Sequence, residues 1–149
     1  MKKGSVIVVP TDTVYGIACK LFDNTALERI YQIKGRDQSK QIPLLISNIK
    51  QLEDIILNTS YSKVLMHHFW PGPLTIIFRT NPSFRKKTHE ETIAVRMPNH
   101  AFLLGLIEKE GVLRVTSLNR SGEPPLSNLE DIYQQFGTKV DDIYAQDQT

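Results

Sequence analysis

Short β-branched runs alternate with helix-patterned stretches along the whole chain, and this alternation limits the fold more than any other feature. Residues 5–10, 43–46, 74–78, 93–97 and 112–116 read as short, largely apolar strands. Between them, Asp23-Asn-Thr25 caps a helix in which Ala26, Leu27, Ile30 and Ile33 recur at helical spacing up to Lys34. Ser47 or Asn48 caps a second helix through Leu52, Ile55 and Ile56, and further helices are expected over 60–70, 101–108 and 129–136. Strands mixed with helices throughout predict a single-domain α/β fold spanning 1–149: a twisted open mixed sheet with helices on its faces. Residues 81–91 carry Arg85-Lys86-Lys87 and no clear period, so a mobile basic loop is expected there.

Composition narrows the class. No apolar stretch approaches the roughly 20 residues that span a bilayer, and residues 5–10 are too short for a signal-peptide core and lack a small-residue cleavage site after them. Cys19 is the only cysteine, which excludes an intrachain disulfide and zinc-type cysteine clusters. A reducing, cytoplasmic setting is expected. The net charge of +2 hides an asymmetry. Residues 123–149 hold six acids against Lys139, a balance of −5, so the first 122 residues carry +7. A basic body suits a polyanionic ligand such as a nucleotide or RNA, and an ordinary solvated surface accounts for it equally well.

Four segments are unusual for scaffold. Pro10-Thr-Asp-Thr-Val-Tyr-Gly16 places hydroxyls and a carboxylate just past the first strand, where open α/β sheets bind ligands; a polar turn is the plainer alternative. Lys34-Gly-Arg36, with Lys40 four residues on, gathers cations where a helix must end; such cations also favour a helix C-terminus without any ligand. Trp70-Pro-Gly-Pro73 reads as a packing anchor beside a rigid turn. Thr116-Ser-Leu-Asn-Arg-Ser-Gly122 follows a strand with small donors able to meet phosphate or nucleoside. No P-loop and no Gly-x-Gly-x-x-Gly fingerprint is present, His67-His68 point different ways on a helix, and no nucleophilic triad suggests itself.

Taken together and in order, these segments resemble the YrdC-like threonylcarbamoyl-AMP synthase family, from about Val6 to about Gly137. The resemblance rests on Pro10–Gly16, Lys34-Gly-Arg36, Trp70-Pro-Gly-Pro-Leu-Thr75, Ala94-Val-Arg-Met-Pro98 and Ser117-Leu-Asn119 with Ser121-Gly122. It implies a sheet around a basic cavity and a nucleotidyltransferase reaction. In that reaction L-threonine, bicarbonate and ATP, with Mg²⁺ and no tightly bound cofactor, give L-threonylcarbamoyladenylate and pyrophosphate. A tRNA threonylcarbamoyl transferase would take the product to the adenosine beside the anticodon, and contact with tRNA or double-stranded RNA is a further implied property.

By the same resemblance, Lys34, Arg36, Ser117 and Asn119 are the catalytic and ATP-binding set, and Lys40 and Thr92 also contact ATP. Arg96 grips the threonine carboxylate, with Thr11, Asp12 and Thr13 at the amino-acid end; no protein metal ligand is implied. The chain departs from relatives at Asp37, where proline is usual, and at Leu45, where a histidine is. It is also expected to lack the family's final strand segment, which carries a Ser-Thr pair and a later arginine. A non-catalytic RNA- or nucleotide-binding module, or an accessory domain of a larger carbamoyl-transfer enzyme, are the other readings of the same residues.

Overall fold

The computed structural model describes residues 1–58 and 62–145. One seven-stranded mixed sheet runs in the order β4-β5-β3-β6-β2-β1-β7. Its strands are β1 (Ile7–Val9), β2 (Gly16–Lys20), β3 (Leu44–Leu45), β4 (Ile76–Arg79), β5 (Thr92–Arg96), β6 (Leu113–Ser117) and β7 (Asp142–Ile143). β3/β5 and β1/β7 pair parallel, and the other neighbours are antiparallel. The helices are α1 (Asn24–Lys34), α2 (Lys63–Phe69), α3 (Pro82–Thr88), α4 (Ala101–Glu110) and α5 (Leu129–Phe136), with a 3-10 helix at Ile49–Asp54.

Register decides which residues share a face, because side chains alternate along a strand. Leu45 lies opposite both Leu113 and Arg96, and Gly16 lies opposite Ser117. Ile7, Val9, Ala18, Leu45, Leu113 and Val115 therefore point to one face, where Leu103 and Ile107 of α4 cover them. The other face is buried twice over. Val8, Ile17 and Cys19 pack on Ala26 and Ile30 of α1 and on Ile132 and Phe136 of α5. Leu44, Ile76, Phe78, Ile93 and Val95 pack on Leu52, Met66, Trp70 and Phe84. The α4 face is thus the thinly covered one: Ile77, on the same face as Arg96, stays exposed.

The helices begin and end where the sequence puts its caps. The Asp23 carboxylate accepts from the Ala26 amide at 3.1 Å, and Gly35 closes α1 at φ 63°, a left-handed conformation glycine adopts without penalty. Asn48 starts the 3-10 helix in a reciprocal capping box with Gln51. The structure differs from expectation at three places. Residues 81–91 are not an irregular loop: they hold α3, started by the Asn81 side chain accepting from Phe84 N at 2.8 Å and by Pro82 at the first helical position. Only Phe84 is buried in that helix, so it leaves almost no periodic signal. The strand β2 escapes sequence reasoning because Gly16 and Ala18 are poor strand formers; a Cβ at Gly16 would lie 2.5 Å from Val115 Cγ1, so the small residue is needed. The third is β7, two residues long, held by Asp141, which accepts from Val6 N at 2.8 Å and from Arg29 Nη1 at 2.6 Å. The expected start of the helix before Trp70 falls on residues 59–61, outside the described residues.

Candidate functional site

The segment after β1 turns back on itself through its own hydroxyls. Thr11 Oγ1 donates to the Val14 carbonyl at 2.6 Å and accepts from the Thr13 amide at 3.0 Å. With the Thr11 proton committed, the 3.0 Å contact between the two hydroxyls has Thr13 as donor. The Thr13 oxygen is left with acceptor capacity. Both residues line a cavity of about 220 Å³ on the α4 face, together with Gly16, Pro43, Leu45, Thr75, Arg96, Val115, Thr116 and Ser117, among others. Arg96 supplies the cation among these lining residues, so the walls are hydroxyl-rich and apolar more than basic.

Arg96 ends β5 and is held from behind. Its Nη1 donates to Asp12 Oδ1 at 2.6 Å and to the Gly72 carbonyl at 3.2 Å. The second Asp12 oxygen accepts from the Asn99 amide at 2.9 Å. Burial pushes the Asp12 carboxyl up, but the Arg96 and Asn99 hydrogen bonds and the Arg96 charge outweigh it and hold the group below the usual carboxylate value. With both oxygens engaged, Asp12 stands outside the cavity lining, while Arg96 is part of it.

On the other side, Lys34 closes the site from within. Ala26, Ile30 and Lys34 recur every four residues, so Lys34 lies on the buried stripe of α1 and is 2% exposed. Its ammonium donates to the Ser117 carbonyl at 2.6 Å, to Asn119 Oδ1 at 3.2 Å and to Thr116 Oγ1 at 3.4 Å. Ser117 Oγ also donates to Asn119 Oδ1 at 2.7 Å, and Asn119 Nδ2 donates to the Arg120 and Glu123 carbonyls. Lys34 and the Ser-x-Asn segment are therefore one bonded unit. None of the four ion pairs among the described residues includes Lys34. Burial first, and the nearby Arg36 charge second, pull the Lys34 ammonium down to about 8.

Arg36, Lys40 and Thr92 form a second group around Gln41. Arg36 Nη2 donates to the Gln41 carbonyl at 3.0 Å, and Gln41 Nε2 donates to the Thr92 carbonyl at 2.8 Å. The Lys40 carbonyl accepts from Tyr31 Oη at 2.7 Å, and the Lys40 and Thr92 side chains are exposed. These three do not line the 220 Å³ cavity.

Sequence reasoning reached Tyr15, Thr75 and Thr116 only as members of motif segments, with no role of their own, and missed Gln41. Thr75 closes the Trp70–Thr75 segment, whose Trp70 packs against Phe78 and donates from Nε1 to the Leu74 carbonyl at 2.7 Å. The strand alternation of Thr116 and Ser117 was the signal for Thr116. Cys19 is buried and its thiol is pushed up to about 12 by that burial, which leaves it unreactive. No group of three His, Cys, Asp or Glu side chains gathers among the described residues, and no helix there is long and apolar enough to cross a membrane.

The chain is similar throughout to proteins of one family. The Sua5_yciO_yrdC family model, described as "Telomere recombination", matches residues 1–149. The threonylcarbamoyl-AMP synthase of Bacillus subtilis (strain 168) is 34% identical over 145 residues, covering 94% of this chain and 42% of that protein. The chain thus spans less than half the length of that relative. A putative threonylcarbamoyl-AMP synthase of Mycobacterium tuberculosis is 32% identical over 143 residues, covering 94% of this chain and 66% of that protein. Among solved structures, P. abyssi Sua5 complexed with L-threonine superposes with a TM-score of 0.85 at 33% identity, over 94% of this chain and 42% of that one. E. coli YciO superposes with a TM-score of 0.82 at 29% identity, over 95% of this chain and 71% of that one. With a matching family model from end to end and the same mixed sheet, the chain belongs to the Sua5/YciO/YrdC family.

Proposed function

We propose that this chain is an L-threonylcarbamoyladenylate synthase domain: L-threonine, bicarbonate and ATP yield L-threonylcarbamoyladenylate, pyrophosphate and water. One observation carries the reading. A hydroxyl-lined cavity is bounded by the Arg96 guanidinium, whose hydrogen bonds to Asp12 and Gly72 both leave from Nη1, and backed by a buried ammonium, Lys34, that no carboxylate neutralises in the described ion pairs. A carboxylate on one side and phosphates on the other satisfy both cations.

Condensation of the threonine amine with bicarbonate releases water and gives a carbamate. A carbamate oxygen then bonds to the α-phosphorus, the bond from that phosphorus to the bridging oxygen breaks, and pyrophosphate leaves with the electron pair. Two anions have to approach each other, so alignment and charge neutralisation dominate over acid–base chemistry. In this reading Arg96 takes the threonine carboxylate bidentately, and Thr11 and Thr13 shape the amine end. Arg36 and Lys40 meet the triphosphate and Thr92 the nucleotide edge. Lys34 backs Ser117 and Asn119, whose donors are bonded within the protein and would be exchanged for phosphate or ribose when nucleotide binds. Magnesium would arrive on the triphosphate oxygens.

The product would pass to a tRNA threonylcarbamoyl transferase in the cytoplasm, with tRNA contact made by the receiving complex or by this chain's basic body. The test is product identity. Purified protein given carbon-13 bicarbonate, threonine and ATP should form a labelled adenylate visible by mass spectrometry; ATP consumption without a labelled adenylate contradicts the reading.

A further inference from the structure

Five aliphatic hydroxyls line the cavity: Thr11, Thr13, Thr75, Thr116 and Ser117. Four already make side-chain hydrogen bonds within the protein. Thr11 and Thr13 bond each other, Thr116 accepts from Lys34, and Ser117 donates to Asn119. Among the described residues Thr75 is the lining hydroxyl with no side-chain partner. It is also solvent-accessible.

Its position relative to Arg96 follows from strand register. β4 and β5 pair antiparallel with Ile76 opposite Val95. Thr75 is the residue just before β4; continuing that register by one position brings it beside Arg96, with which it lines the cavity. Ile76 points into the core on the opposite side of the sheet, so Thr75 shares the Arg96 face. Side chains paired this way stand about 5 Å apart at Cβ. That spacing suits an α-amino acid whose carboxylate sits on the arginine and whose β-substituent reaches the neighbouring residue. Leu45 and Val115 supply an apolar wall for a methyl group beside it.

We infer that Thr75 reads the side-chain hydroxyl of the amino acid anchored by Arg96, and that it is the residue separating threonine from valine. The inference rests on the reading of the cavity as a threonine site. Valine is the fitting probe because it replaces the hydroxyl by a methyl of similar size. A hydroxyl-bonding site rejects such an analogue, whereas an apolar pocket barely distinguishes the pair.

Calorimetric titration of L-threonine and L-valine into the intact protein tests this without requiring turnover. Wild type should bind threonine at least about tenfold more tightly than valine, the scale of one net hydrogen bond. Thr75→Val should bring the two within about threefold, chiefly by weakening threonine, and Thr75→Ser should restore the preference. Thr75→Ala at this exposed position gives the same comparison should the valine variant misfold. An unchanged threonine-to-valine ratio, or an equal loss of both amino acids, overturns the assignment. Wild-type protein that binds neither amino acid overturns the threonine reading itself, a different result from wild type that binds threonine with no help from Thr75.

Discussion

The Lys34 ammonium lies 2.6 Å from the Ser117 carbonyl and 3.2 Å from Asn119 Oδ1, buried and without a carboxylate to balance it. A buried cation held only by neutral acceptors favours an anion nearby. The same feature has a pH signature. The folded-state value is about 8 against an ordinary 10.5, so the unfolded chain binds the proton more tightly. Stability should therefore rise as pH passes from about 8 to 10.5, by on the order of 3 kcal/mol. Urea unfolding across that window should show the rise in wild type and lose it in Lys34→Met. An equal slope in both proteins would mean that Lys34 is not the group titrating.

Arg36 touches backbone carbonyls of its own loop and lies outside the core. Arg36→Ala should cost no more than about 1 kcal/mol of stability while lowering pyrophosphate release by at least about a hundredfold. Near-normal turnover, checked alongside a thermal melt, would remove Arg36 from the triphosphate site.

Arg96→Lys keeps the charge but loses the planar fork. The expected result is a threonine KM raised by roughly ten- to a hundredfold with the ATP KM little changed. Equal increases in both constants would show that the amino-acid end has been misassigned.

The Asp12–Arg96 pair should matter most in acid. Asp12 has a lowered folded value, so its contribution is present above the ordinary carboxylate range and is lost as pH falls through the folded value. Asp12→Asn should flatten the acid limb of the stability profile and raise the threonine KM several-fold by freeing Arg96. An unaltered threonine KM would leave Asp12 a purely structural residue.

Much of this was legible in the chain itself. The alternating strands and helices, the Asp23 and Asn48 caps and the five motif segments led to the α/β class and to the family that the comparisons bear out. The inward turn of Lys34 was also readable, since Ala26, Ile30 and Lys34 are spaced by four, although a cation pattern drew attention first. Other features depend on pairing that no local pattern carries. Glycine at position 16 is required by Val115, a residue 99 positions away, and Thr75 becomes a neighbour of Arg96 only through the β4–β5 register. That the Asn99 amide and Arg96 engage both Asp12 oxygens is likewise a product of the fold that no local pattern shows.

The central claim is that this chain joins threonine, bicarbonate and ATP, and its most direct test is pyrophosphate release by the purified protein with threonine and bicarbonate supplied singly and together. The account requires release only when both are present. Bound ATP with no release under any combination, or release that ignores threonine, would contradict it and leave a nucleotide-binding module of the same fold.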